Sequence, residues 1–142
     1  QLKRLLESQK MTEQEAECIR IRDIRRFVES GLGQRMRKAA MKKHLYREQP
    51  FVIQRSASML DDGWKNETVL VQGIIDAYFM EEEEIVLVDY KTDRVKRGQE
   101  QKLIDLYHVQ LEDYARALER MTGKRVKEKI IYSFTLQKEI LL

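Results

Sequence analysis

Gly73-Ile74-Ile75-Asp76-Ala77-Tyr78-Phe79, followed by Val86-Leu87-Val88-Asp89-Tyr90-Lys91-Thr92-Asp93, is the stretch that decides how this 142-residue chain folds. Both pieces read as apolar strands, each with an acid near its end. The acidic run Glu81 to Glu84 reads as the tight, solvated turn of a hairpin between them. Strand alternation puts Asp89 and Lys91 on one face and Tyr90 on the other.

Two carboxylates and a lysine on adjacent strands suit metal-dependent phosphodiester chemistry. Carboxylates held about 4 Å apart repel by roughly 4 kcal/mol at an effective dielectric of about 20. A fold that forces them together must protonate one or bind a cation, and oxygen donors suit Mg²⁺ or Mn²⁺. Such an ion polarises a phosphoryl oxygen and acidifies a bound water. Lys91 then orients that water and stabilises charge building on the phosphate. The plain alternative is a salt bridge of Lys91 with Asp89 or Asp76, and the strands alone leave both readings open.

Further on, Gln110-Leu111-Glu112-Asp113-Tyr114-Ala115-Arg116-Ala117-Leu118 has helical character and puts Gln110 and Tyr114 one turn apart on one face. Taken in order, GIIDAYF, VLVDYKTD and QLEDYARAL resemble the RecB-type nucleases of the PD-(D/E)XK superfamily. Tyr46 to Phe51 fits the strand before the catalytic hairpin, and Gly31 to Met36 fits the helix before that. The resemblance runs from about Ile24 to Phe134. It implies an α/β fold with a restriction-endonuclease-like core, a mixed β-sheet flanked by helices and preceded by N-terminal helices. It divides the single domain into a helical segment, 1–44, and a nuclease core, 45–142.

The resemblance also assigns roles. Asp76 and Asp89 become metal ligands with the Tyr90 carbonyl as a further one, and Lys91 becomes the catalytic lysine. Gln110, Tyr114 and Thr92 become DNA-positioning residues, with Glu48 a weaker candidate that touches the site through water or a second metal. Salt bridging for Glu48 and turn capping for Thr92 are the competing structural roles. The implied activity is Mg²⁺- or Mn²⁺-dependent DNA cleavage of exonuclease type, in a helicase–nuclease that prepares broken DNA for recombinational repair. The implied partners are single strands from unwound duplex ends and the second subunit of a heterodimer. The competing functional class is a non-catalytic DNA-binding or subunit-interaction domain that keeps the fold.

The chain departs from the family in one respect. RecB-type nucleases supply a histidine ligand from an upstream helix in a Gly-Thr-x-x-His setting, and no such segment occurs here. The only histidines are His44, just before the Glu48 strand, and His108, two residues before Gln110. The expected upstream ligand therefore lies outside this sequence, which looks like a piece of a longer protein. No GxxxxGK[ST] motif is present, so ATP belongs to the parent's motor and not to these residues.

Composition fits a soluble, cytoplasmic protein: 36% of residues are charged, and no apolar run approaches a membrane span. No signal peptide is expected. The single cysteine, Cys18, leaves no disulfide framework within this sequence and argues against the four-thiolate iron–sulfur cluster of some relatives. The net charge of +3 is uneven: residues 1–50 hold 13 Lys or Arg against 7 Asp or Glu, and residues 51–142 hold 14 against 17. Arg20, Arg22, Arg25, Arg26, Arg35, Arg37, Lys38, Lys42, Lys43 and Arg47 form a basic tract that either follows a phosphate backbone or faces solvent.

The remaining layout is coarse. Helices are expected over 2–9, from Thr12 with Glu15 as a capping box, and through Ile21, Ile24, Phe27 and Val28 until Gly31 and Gly33 break the run. A short helix then carries Met36 to Ala40. Strands are expected at 45–53, 68–79, 84–91 and 126–135, and a long helix at 103–121, ended by Gly123. Residues 54–67 read as a loop turning at Asp61-Asp62-Gly63, with Trp64 packed. The basic segment 93–102 reads as a mobile loop near DNA, and 136–142 as a tail or short strand.

Overall fold

The computed structural model describes residues 19–56 and 68–142. The expected helices near the N-terminus, the cap at Thr12, Cys18, the turn at Asp61 to Gly63 and Trp64 lie outside them. A π-helical turn, Ile19–Asp23, leads into α1 (Ile24–Glu29) and α2 (Gly31–Met41). Three strands follow, β1 (Leu45–Ser56), β2 (Thr68–Glu81) and β3 (Glu84–Lys91). A long helix, α3 (Glu100–Thr122), precedes β4 (Val126–Ser133) and β5 (Lys138–Leu141). The strands form one mixed sheet in chain order: every neighbouring pair is antiparallel except β3 and β4, which are parallel across α3.

β3 is buried along most of its length because both faces of the sheet are covered. Ile85 and Leu87 point into the core beneath α3, with Leu103, Leu111, Leu118 and Ile131. Val86 and Val88 point into the opposite core beneath α2, with Leu32, Met36, Phe79 and Tyr132. The apolar stripe of α3 recurs at helical spacing, so tertiary burial and not propensity fixes the helix against the sheet. Gly123, in the left-handed region at φ 71, ends it by donating to the Glu119 carbonyl.

Several expected boundaries move. β1 continues to Ser56, so 54–56 is strand and not loop, because the ladder with β2 runs on to the Ser56–Thr68 pair. α3 begins at Glu100, three residues earlier than the pattern suggests, and β4 ends at Ser133. The helix break falls at Ser30, whose hydroxyl accepts from the Gly33 amide and caps α2. Gly31 and Gly33 thus sit inside α2. A Cβ on Gly33 would lie 2.1 Å from the Phe27 carbonyl oxygen, so glycine there permits the close packing of α1 against α2.

The acidic hairpin also holds more structure than a solvated turn. Glu82 and Glu83 both have positive φ, the backbone of a two-residue turn. Glu81 instead takes a forked bond from Arg35, at 3.0 and 2.7 Å. Arg35 also bonds Glu128 and so joins α2 to β2 and β4. That guanidinium holds the Glu81 carboxyl down to about 2. One cation of the basic tract is thereby committed internally, while Arg37, Lys38, Lys42, Lys43 and Arg47 remain exposed.

A second buried pair fixes the ribbon of β1 and β2 against α3. Arg55 and Asp113 meet at 2.8 Å with side chains only 14% and 10% exposed. Asp113→Ala leaves the Arg55 charge in a poorly hydrated place, and is expected to cost about 3 kcal/mol. Urea denaturation at neutral pH measures this. The double variant Arg55→Met/Asp113→Leu should recover most of the loss, because shape is kept and no charge is stranded.

Candidate active site

Asp76 lies where the sheet changes character. In the first half of β2 the odd positions Val71 and Ile75 pack under α3, while in the second half the even positions Tyr78 and Met80 do. The face reverses between them. Across the ladder, Arg47 pairs with Ala77 and Gln49 with Ile75, so Glu48 stands opposite Asp76 at a break in the pairing. Glu48 adopts φ 49, costly for a residue with a Cβ. The pairing of β2 with β3 ends at Ala77–Val88, beyond which the Asp76 carboxylate accepts the Tyr90 amide at 2.9 Å. Asp76 is thus held by backbone where the two strands part.

Asp89 and Lys91 follow on the α3 face of β3, as the alternation requires. The Tyr90 ring goes to the other face, edge-on to Phe27 and near the Met36 sulfur. Asp89 is 3% exposed. Burial pushes its carboxyl up to about 6; Lys91 pulls against this and Asp76 adds to it. Lys91 Nζ lies 2.9 Å from Asp89 Oδ2, an ion-pair distance. That buried oxygen has no hydrogen bond of regular geometry among the described residues, although Lys91 and Asp76 both lie beside it. A buried carboxylate beside a second carboxylate is a suitable place for a hard cation.

Lys91 has two further neighbours, both on α3. Gln110 Oε1 accepts from Nζ at 2.9 Å, and Nζ stands 3.9 Å from the centroid of the Tyr107 ring. Tyr107 donates its hydroxyl to Asp93 at 2.7 Å, and burial, with Asp93 adding to it, pushes that phenol up to about 12. Tyr107 did not emerge from the sequence as a site residue. The available signal was spacing: 107, 110 and 114 follow i, i+3, i+7 and line one helix face.

The other candidates are placed as follows. Tyr114 packs edge-on to Phe51, with centroids 5.1 Å apart, and with Gln110, Arg55 and Gln72 lines a groove of about 250 Å³. Thr92 is half-buried after β3, where its carbonyl accepts from Thr135. Glu48 is exposed. His108 faces solvent with Nδ1 3.2 Å from the Ile104 carbonyl, and His44 is exposed just before β1. The structure therefore gathers Asp76, Asp89, Lys91 and Gln110. No group of three or more His, Cys, Asp or Glu converges among the described residues. Two carboxylates side by side, Asp76 and Asp89, are donors of the kind a divalent cation takes.

The hairpin carries two aspartates with a lysine two residues after the second, and a glutamine of α3 bonds that lysine. The family model described as "PD-(D/E)XK nuclease superfamily" matches residues 2–140, and the chain belongs to that superfamily. It is similar to an ATP-dependent helicase/nuclease subunit of Clostridium novyi, at 39% identity over 99% of the chain and 12% of the relative. The identically named subunits of Thermoanaerobacter sp. and Acetivibrio thermocellus are 42% and 43% identical over 94% of the chain, each across 11% of the relative. The chain thus spans about one-tenth of the length of these relatives. No helix among the described residues is long and apolar enough to cross a membrane.

Proposed function

We propose that this domain hydrolyses phosphodiester bonds of single-stranded DNA with Mg²⁺ or Mn²⁺, as the exonuclease domain of a helicase–nuclease. The observation that carries the reading is the buried Asp89 carboxylate beside Asp76, with Lys91 in contact. When bound there, the cation supplies a polarised phosphoryl oxygen and an acidified water. Asp76 and Asp89 bind it, helped by the Tyr90 carbonyl. Lys91 places an ammonium against the charge that grows on the phosphate, and Gln110 sets the direction of its approach. Thr92 and Tyr114 steer the strand, with the exposed Arg94, Lys96 and Arg97 nearby for its phosphates.

The parent protein, on this reading, works with a second subunit in the cytoplasm, unwinds broken duplex ends with ATP, and trims them for recombinational repair. Residues 1–44 and 45–142 form one folding unit within it, and a further ligand comes from upstream of this sequence. A second reading has one observation in its favour: the 2.9 Å contact of Lys91 with Asp89 is also what a non-catalytic, DNA-binding relative would show.

The test is cleavage of end-labelled single-stranded DNA by this chain, and by a longer chain that restores the upstream helix, in Mg²⁺, Mn²⁺ and EDTA. Shortening of the strand in either cation and none in EDTA is expected from at least the longer chain. Cation-independent binding without cleavage by both would sink the nuclease reading in favour of the second one.

A further inference from the structure

The catalytic lysine of such a site must be held without being neutralised. A lysine side chain carries about 2 kcal/mol of rotamer entropy, and its ammonium is a point charge with no directional fork of its own. Asp89 cannot be its fixed support, because a cation bound at Asp89 competes with the ammonium for the same oxygen. Two neutral neighbours remain, the Gln110 amide oxygen at 2.9 Å and the Tyr107 ring at 3.9 Å. The glutamine accepts one N–H and leaves the stem free to swing about it. A ring face adds a wall, and its negative quadrupole attracts the ammonium without cancelling its charge.

The ring is itself anchored. Tyr107 donates to Asp93 at 2.7 Å, and Asp93 stands two residues after Lys91. The chain therefore closes a small circuit, in which the segment leaving β3 carries both the lysine and the acceptor that fixes the ring beneath it. Tyr107 also stays in register with Gln110, one helical turn away on α3, so both supports move as one body.

We propose that Tyr107 is a positioning residue that holds the Lys91 ammonium against its ring face, with Asp93 fixing the ring. For its kinetic consequence the proposal rests on the nuclease reading above; for the placement itself it does not. The face, and not the hydroxyl, makes the contact. The hydroxyl only orients the ring through Asp93, so phenylalanine keeps most of the effect, whereas leucine, smaller and without a ring face, does not.

The test has two arms on wild type, Tyr107→Phe and Tyr107→Leu, each first shown folded by circular dichroism. In the chain labelled with ¹³C-lysine and free of metal, the ring current should move the Lys91 ε-protons upfield of the other lysines. Lys91→Met identifies the signal by its loss. The upfield signal should persist in Tyr107→Phe and relax in Tyr107→Leu. In the cleaving form of the protein, Tyr107→Leu should lower kcat about tenfold with KM within about twofold, and Tyr107→Phe should stay within about threefold of wild type. No upfield signal in wild type overturns the placement. Equal kcat for the leucine and wild-type proteins, or a loss confined to KM, overturns the positioning role. An upfield signal in a protein that cuts no DNA upholds the placement and counts only against the nuclease reading.

Discussion

Lys91→Ala is expected to lower the rate of DNA cleavage by about three orders of magnitude, with cation binding retained. The two effects separate because the lysine and the carboxylates serve different charges. On the proposed function, Asp76 and Asp89 provide negative oxygens for the cation, and a neighbouring ammonium opposes that cation. Removing the ammonium therefore leaves Mn²⁺ affinity equal or higher. What is lost is the positive charge that Gln110 and Tyr107 contact beside the carboxylates. Lys91→Arg should rescue poorly: the planar guanidinium is larger than the ammonium and cannot keep both the 2.9 Å bond to Gln110 and the 3.9 Å seat on Tyr107. Single-turnover cleavage gives the first quantity and calorimetric titration with Mn²⁺ the second. A Lys91→Ala protein cutting within about tenfold of wild type would remove the lysine from the chemistry. A protein that also stops binding Mn²⁺ would show that Lys91 is structural.

The central hairpin was legible in the sequence because its signals agree. Apolar runs, alternation and an acidic turn all place Asp89 and Lys91 on one face, and burial on both sides of β3 leaves no competing register. Gln110 was named by the resemblance to the family's helix motif; spacing alone only put it on one face with Tyr114. Tyr107 was not, because its partners Lys91 and Asp93 belong to another element and meet it only once α3 docks. The reversal of faces at Asp76 was equally hidden. It depends on the backbone of Glu48 on a different strand, and a glutamate at φ 49 is not announced by composition. Ser30 as the cap of α2 lost out to the neighbouring glycines, the louder break signal, which proved to serve close packing. Local periodicity, in short, finds the residues of a site, whereas their mutual distances follow from long-range pairing.

Asp89→Asn is expected to abolish cleavage and, in the metal-free chain, to stabilise the fold at about pH 8. The sign follows from the direction of the shift. The Asp89 carboxyl stands at about 6 in the folded chain against an ordinary value of 3.8, so the fold favours its protonated form. Below about pH 4 the group is neutral in both folded and unfolded states and costs nothing. As the pH rises from about 4 to about 6, the unfolded chain releases the proton first and stability falls. Above that range the loss is complete, and a rise of this size corresponds to about 3 kcal/mol. That figure already contains the attraction of Lys91, which pulls the carboxyl down. Asparagine keeps the shape and carries no charge, so it removes the penalty at about pH 8 and changes little at about pH 4. Mn²⁺ should reverse the ranking: it stabilises wild type by occupying the carboxylates and leaves the asparagine variant nearly unmoved. Paired urea titrations at the two pH values, in EDTA and in Mn²⁺, read all four quantities. An asparagine variant less stable than wild type at about pH 8 in EDTA would mean that Lys91 more than compensates the buried charge. The site would then be a structural ion pair. The expected order instead marks Asp89 as a residue kept at a cost to the fold, for the cation it holds.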